Sequence, residues 1–470
     1  MQWLKEAAEK YPSKIAIECN DQSLTYHALY EKALQVALKL KTLQQKRVAL
    51  QAENTLNDCL IIHGAILAGI ELVMINKHLT EKEITRQMNS VNTELLISND
   101  KFDNLKPISK TLIMTDLSEQ INSPIINQPD DILSIMFTSG TTGVQKAVPQ
   151  RYINHFTSAE NCKETLTYHH DSVWLDVLPL FHISGLSILL RAVMDGCTVV
   201  LHEKFDAQQI IQDIQEKNIT HISLVPQTLE RLLSQGLNAQ YALEGILIGG
   251  AKLDERLLNE ARTVGLPIYT SFGMTETCSQ MITATPDDIK QYPKSVGRIN
   301  NAIQIFHAQN GIGEIGVKGE NVMTGYIFPD NANDEAFKDG FFLTGDIGYI
   351  DNGYLYILDR RKDLIISGGE NIYPSEIEQV LLSHTDVSAV AIIGIEDVRW
   401  GSIPICLYEA EDDMTLEMKS LLNDMLAKYK HPKAYYQVDK LIRTSNGKIS
   451  RHLCKEWFIH EYQPTESLSF

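Results

Sequence analysis

The sequence has no Cys-x-x-Cys pair. Its seven cysteines, Cys19, Cys59, Cys162, Cys197, Cys278, Cys406 and Cys454, are scattered and odd in number. That pattern excludes a disulfide-stapled secreted scaffold and argues against a zinc site. It leaves the thiols as small core residues in a reducing compartment, the cytoplasm. Long apolar runs are also missing. The most apolar stretch, residues 59–75, is broken by His63, Gly64, Gly69 and Glu71. It is too short to cross a bilayer and reads as a buried helix running into a strand. Residues 1–10 read as a charged amphipathic helix without a signal-peptide core. Stable membrane insertion is not expected, and neither repeats nor low-complexity tracts occur. Basic residues are in deficit, 42 against 60 acidic, for a net charge of −18. This excludes a general nucleic-acid binder and an anionic membrane surface as partner. Anionic substrates would therefore need cationic side chains and backbone N–H groups gathered at one place.

What is present is a chain of 470 residues with 44% apolar content, enough for two to four soluble units. Helical and strand periodicities alternate early. Residues 23–40 read as a helix with Thr25 near its start, 47–52 as a strand and 55–68 as a helix. The middle repeats the pattern: strands at 197–201, 220–225, 246–248 and 268–271, with helices at 206–215 and 254–261 and a third opened by Pro226. Runs of βαβ units imply an α/β fold with parallel sheets and helices on their faces. After about residue 297, short β-runs are separated by Gln309-Asn310-Gly311, Lys338-Asp339-Gly340 and Asp351-Asn352-Gly353. These turns predict a small antiparallel barrel or sheet at 297–358. A charged cluster, residues 359–363, then precedes a compact α+β unit. The expected division is a large domain 1–358, a hinge 359–363 and a small mobile domain 364–470.

The strongest local signal is residues 138–146, Thr138-Ser139-Gly140-Thr141-Thr142-Gly143-Val144-Gln145-Lys146. Glycines let backbone approach an anion, hydroxyls donate to it, and Lys146 adds charge. Alone, the segment could equally be a flexible surface turn. It is not the P-loop NTPase motif, because no Gly-Lys-Ser/Thr follows. Further on, Tyr269-Thr270-Ser271-Phe272-Gly273-Met274-Thr275-Glu276 ends a predicted parallel strand, where open α/β sheets bind ligands. Thr344-Gly345-Asp346 carries an acid after a strand, Arg360 lies fourteen residues on, and Lys448 sits on a glycine-containing loop.

In order and spacing these segments resemble the adenylate-forming superfamily of acyl- and aryl-CoA synthetases, peptide-synthetase adenylation domains and luciferase, over residues 10–455. Gln145 and Ala147 depart from the family's usual proline and glycine. The resemblance implies an ATP- and Mg²⁺-dependent ligase that makes an acyl-adenylate and then a coenzyme A thioester from a small carboxylic acid. It implies that Thr138, Ser139, Gly140, Thr141, Thr142, Gly143 and Lys146 wrap the phosphates and that Glu276 holds Mg²⁺. Gly249, Gly250 and Ala251, with Ser271, Phe272 and Gly273, would line the nucleotide. Thr275 would meet the α-phosphate, Asp346 and Arg360 the ribose. Lys448 would bridge carboxylate and α-phosphate, Lys362 would be the hinge pivot, and Ser367-Gly368-Gly369 the loop beside coenzyme A. Each has a bland reading too. Asp346 alone suits a turn, Glu276 a helix start, Lys448 a solvated surface and 367–369 an ordinary β-turn.

The acid is addressed by residues 178–194. His182 stands where amino-acid-activating relatives carry aspartate, which disfavours an α-amino acid; it would flank the acyl pocket. Arg191 lies in an apolar helical stretch. Either it pairs with a domain acid such as Asp176 or, with Ser184, it holds a second substrate carboxylate. These segments resemble the o-succinylbenzoate–CoA ligases of menaquinone biosynthesis. The alternatives are another fatty- or aryl-acid CoA ligase, or a loader of carrier proteins. A homo-oligomer is left open.

Overall fold

The computed structural model describes residues 1–115, 125–139, 145–250, 253, 255–309, 311–359, 363, 365–372, 374–384, 386–442, 449 and 451–461. The chain forms two compact bodies. One comprises Met1–Lys77, Met88–Phe137 and Ala147–Leu358; the other comprises His78–Gln87, Thr138–Lys146 and Asp359–Phe470.

The first body holds an eight-stranded sheet. Its strand order is Ser279–Ala284, Ile268–Met274, Gly245–Ile248, His221–Leu224, Val173–Asp176, Thr198–Leu201, Ile15–Cys19 and Gln22–Thr25. The central strands are parallel, and the two edge pairings are antiparallel. The inner strands Gly245–Ile248 and His221–Leu224 are buried along their whole length, the first as the apolar run Gly-Ile-Leu-Ile and the second with the buried polar side chains His221 and Ser223. A second sheet of five strands has Arg47–Ala52 and Glu71–Asn76 paired in parallel at its centre. Local chemistry sets the ends of the helix between them, Leu56–Ala68. Thr55 accepts the Asp58 N–H at its start, and Gly69 closes it at φ 69°. Asp206 likewise caps Ala207–Glu216, accepting from Gln208 and Gln209.

One expectation shifts. Residues 22–25 form a strand rather than the start of a helix, because Asn20 at φ 53° reverses the chain and pairs them with Ile15–Cys19. The helix begins at Tyr26, with Thr25 as its cap.

A curled antiparallel sheet follows, built from Ile303–Gln309, Ile312–Val317, Phe337–Lys338, Phe341–Asp351 and Tyr354–Asp359. Two of its hairpins turn on left-handed pairs, Asp339-Gly340 and Asn352-Gly353. An apolar cluster containing Phe272, Tyr326, Phe342 and Leu355 docks this sheet against the end of the eight-stranded one.

In the second body, a sheet centred on Ala389–Asp397 and Gly401–Glu409 sorts its side chains by parity. Val390, Ile392, Cys406 and Tyr408 pack with Ile377, Leu381, Met418 and Leu422 from helices Pro374–His384 and Thr415–Met425. Ala391, Ile393, Ile405 and Leu407 pack with Cys454 and Phe458 of helix Arg451–Glu461. Among the described residues, no helix is long and apolar enough to cross a membrane. All seven cysteines are buried and free.

Candidate active site

The parallel strands Gly245–Ile248 and Ile268–Met274 lie side by side, with Ile248 opposite Thr270. Their carboxyl ends bring together Gly249, Gly250, Ser271, Phe272, Gly273, Thr275 and Glu276. The Ser271 hydroxyl donates to Ile248 O at 3.2 Å. A Cβ on Gly249 would stand 3.3 Å from the Ser271 oxygen, and Gly250 takes φ 79°. The pair therefore forms a thin backbone wall where side chains would intrude.

Strand Ile268–Met274 then enters the tight turn Thr275–Thr277 and returns as Ser279–Ala284. Only glycine fits at 273, because a Cβ there would lie 2.1 Å from Ser279 O. The turn is held from several sides. Met323 N–H donates to Glu276 O at 2.8 Å, Asn321 Nδ2 to Thr277 O at 3.2 Å and Gln150 Nε2 to Thr275 O at 2.9 Å. The Glu276 carboxylate is 8% exposed, and the Tyr326 hydroxyl donates to its Oε1 at 2.9 Å. Sequence reasoning missed Tyr326 and Gln150. Each reaches the turn across 50 residues or more, and nothing in their local sequence marks the target.

Asp346 lies on the curled sheet, inside strand Phe341–Asp351 rather than after a strand. The pairing jumps from Gly316↔Leu343 to Glu314↔Ile347, so Thr344-Gly345-Asp346 forms a bulge. Thr344 Oγ1 donates to Ile315 O at 2.8 Å and accepts the Asp346 N–H at 3.1 Å. Gly345 takes φ 75°. Asp346 is buried in this bulge, so the turn-like reading of the triplet is met inside a continuous strand.

On the acyl side, His182 caps helix Ile183–Asp195 and its ring lies 4.6 Å from that of Phe181. Gly185 admits the preceding loop, since a Cβ would meet the Leu178 and Pro179 carbonyls at 2.5 Å. Ser184, Ser187 and Arg191 follow at helical spacing on one face. Arg191 is 1% exposed. Its Nε donates to Ser187 O at 3.0 Å, and its terminal nitrogens to Cys162 Sγ at 2.7 Å and Ser187 Oγ at 2.8 Å. Longer contacts reach Gln280 Oε1 and Ser279 Oγ, and the guanidinium lies over the Trp174 ring. Every acceptor is neutral. Asp176 is not its ion-pair partner: burial holds that carboxyl well above the usual range, its Oδ1 accepts Leu178 N–H, and its Oδ2 has no partner among the described residues.

Residues 4–327 match the AMP-binding enzyme family and residues 376–448 its C-terminal domain. The chain belongs to the AMP-binding enzyme family. It is 44% identical to a 2-succinylbenzoate–CoA ligase of Staphylococcus epidermidis, covering 99% of each chain. A double mutant of o-succinylbenzoate CoA synthetase from Bacillus subtilis, bound to its product analogue, matches with TM-score 0.92 and 35% identity, covering 97% of this chain and 98% of that one. The same enzyme in complex with ATP and magnesium ion matches with TM-score 0.74 and 35% identity, covering 97% and 99%.

Several sequence-predicted residues of this AMP-binding enzyme lie outside the described residues: Gly140, Thr141, Thr142, Gly143, Ala251, Arg360, Lys362 and Lys448. Thr138 and Ser139 end strand Ile132–Ser139, and Lys146 lies at the start of Gln145–Arg151. Ser367-Gly368-Gly369 is a hairpin turn, with Ser367 opposite Glu370 and φ of 59° and 87° at the two glycines. A Cβ on Gly368 would meet the Trp400 ring at 2.7 Å. The β-turn reading of this segment therefore holds, whatever further role it has.

Proposed function

We propose that this AMP-binding enzyme is an AMP-forming acid–thiol ligase that converts 2-succinylbenzoate to its coenzyme A thioester in the cytoplasm. A carboxylate oxygen attacks the α-phosphorus of ATP, and the bond to pyrophosphate breaks. The coenzyme A thiol then loses its proton and attacks the acyl carbon, and AMP leaves. Both steps gather anions, so the protein's task is positioning and charge neutralisation.

The thin wall at Gly249 and Gly250, with Ser271, Phe272 and Gly273, receives the nucleotide base. Asp346 accepts the ribose hydroxyls, with Arg360 beside them. Thr275 meets the α-phosphate. Thr138, Ser139, Thr141, Thr142 and Lys146 take the outer phosphates. Glu276 fits Mg²⁺, because a carboxylate with hydroxyl and phosphate oxygens is the hard donor set that ion takes. When bound, Mg²⁺ withdraws negative charge from the phosphates. Lys448 orients carboxylate and phosphate for adenylation. The division into 1–358, a hinge at 359–363 pivoting on Lys362, and 364–470 lets Ser367-Gly368-Gly369 serve the thiol step.

The observation that carries the choice of acid is Arg191, a buried cation whose partners are all neutral. An unpaired buried charge is costly. A second substrate carboxylate, received beside Ser184 on the same helix face, supplies the missing charge, while His182 flanks the acyl chain.

The test is pyrophosphate release across a panel of mono- and dicarboxylic acids, with and without coenzyme A. 2-Succinylbenzoate should give the highest rate, with a thioester formed only when coenzyme A is present. Equal rates with benzoate or a fatty acid would refute the substrate. Lys448→Ala should abolish adenylation and spare the reaction of preformed adenylate with coenzyme A.

A further inference from the structure

Behind the Thr275–Thr277 turn lie four buried polar side chains, those of Ser134, Gln150, His155 and Cys278. Gln150 Nε2 is 2.9 Å from Thr275 O. Ser134 Oγ is 2.7 Å from Gln150 Oε1 and 2.9 Å from His155 Nε2. His155 Nδ1 is 3.3 Å from Cys278 Sγ. The Cys278 backbone N–H comes back to Thr275 O at 3.1 Å, which closes the ring.

The direction of every bond in the ring is determined. Thr275 O can only accept, so Gln150 turns its nitrogen to it and its oxygen to Ser134. Ser134 has one proton, and Gln150 takes it. His155 Nε2 must then carry a proton and donate to Ser134 Oγ. Nδ1 is left bare, and the Cys278 thiol donates to it. Burial agrees with this assignment, pushing the His155 pKa down to about 3 and the Cys278 thiol up, so both stay neutral. Such rings strengthen bond by bond. This one secures an awkward piece of backbone, since Cys278 and Ser279 hold φ of 53° and 98° without being glycine.

We infer that His155 is a positioning residue for adenylation, fixing the turn that presents Thr275 and Glu276 through Ser134, Gln150 and Cys278. The inference rests on the reading of Glu276 as the Mg²⁺-holding carboxylate. A residue that merely fills the core would be felt equally in both half-reactions. A positioning residue for this turn is felt where phosphate and Mg²⁺ are handled.

The experiment uses the full chain with Ser134→Ala, Cys278→Ala, the double variant, Cys278→Ser and Glu276→Gln. Calorimetric affinity for Mg·ATP, pyrophosphate release and thioester formation from preformed adenylate are each measured per folded protein. The two single alanine variants should weaken Mg·ATP binding and slow adenylation by about tenfold, with thioester formation changed less than about twofold. The double variant should be no worse than the poorer single, as members of one ring couple. Cys278→Ser, which keeps a donor, should restore most of the loss. Proportionate losses in both half-reactions at unchanged Mg·ATP affinity, or losses that multiply in the double variant, would overturn the inference. Should Ser134→Ala not fold, the Cys278 pair carries the same comparison. Glu276→Gln separates the two failures. If it leaves Mg·ATP binding intact, the reading of Glu276 falls; if it weakens binding while the ring variants do not, the role of His155 falls.

Discussion

Arg191 and Lys430 are both buried cations, 1% and 4% exposed, yet their surroundings are opposites. Lys430, in the second body, donates to Glu83 at 2.8 Å and Glu376 at 2.9 Å, and both carboxylates are themselves buried. Burial works against its charge, but Glu376, Tyr429 and Glu83 outweigh it and hold its pKa above the ordinary lysine value. Arg191, in the first body, has serine, glutamine and cysteine acceptors and, among the described residues, no carboxylate within ion-pair distance. A cation locked between two acids has its electrostatic needs met inside the protein and reads as structural. A cation surrounded by neutral groups carries uncancelled charge, which makes sense if an anion arrives from outside.

Substitution should separate the two roles. Lys430→Met leaves Glu83 and Glu376 buried against each other. It should cost about 3–5 kcal/mol in denaturant unfolding; a loss below about 1 kcal/mol would mean the triad is dispensable. The next effect is pH-dependent and extends the comparison to a group that avoids charge. His63 is buried, its Nε2 has no partner among the described residues, and burial lowers its pKa from 6.5 to about 4. Between those values the unfolded chain binds a proton that the folded chain refuses. Stability should therefore fall as pH drops from 6.5 towards 4, by about 3 kcal/mol. His63→Met should make that slope shallower in a series of unfolding curves, with His155 and His221, also held neutral by burial, supplying the rest; an unchanged slope would assign the acid sensitivity to those two alone.

Smaller still is Tyr326→Phe, which removes only the hydroxyl on Glu276 Oε1. The Mg²⁺ concentration for half-maximal pyrophosphate release should rise about fivefold, about 1 kcal/mol, with the fold intact. An unaltered Mg²⁺ dependence would show that Tyr326 serves packing alone. The smallest change in stability belongs to Arg191→Met. Removing an uncompensated buried charge should leave unfolding free energy unchanged or raise it by about 1 kcal/mol. A loss comparable to that of Lys430→Met would make Arg191 a structural cation after all.

Much of the architecture was written locally. Thr55, Asp206 and Gly69 mark helix ends because capping is a contact within one turn of chain. Asp339-Gly340 and Asn352-Gly353 mark hairpins because few residues accept positive φ. Local reading failed at residues 22–25, where pairing with Ile15–Cys19 outweighed helical periodicity. At Thr344-Gly345-Asp346 nothing local marks the turn-like triplet as a bulge in a continuous strand, because the partner residues lie about thirty positions away. Within the site, the glycines and Glu276 were singled out through the family resemblance, since each alone suits an ordinary turn or helix start. Their supports were not. Tyr326, Gln150 and His155 reach the turn at separations of 50, 125 and 123 residues, which only the folded sheet brings together.

The most direct test concerns the second carboxylate. Adenylation of 2-succinylbenzoate and of 4-oxo-4-phenylbutanoate, which lacks the ring carboxylate, is measured with the native protein and with Arg191→Met. The native protein should prefer the dicarboxylate by about tenfold to a hundredfold in kcat/KM, and the variant should lose most of that preference. Equal loss on both acids would contradict the account, since Arg191 would then act on the fold or the nucleotide and not on the acid.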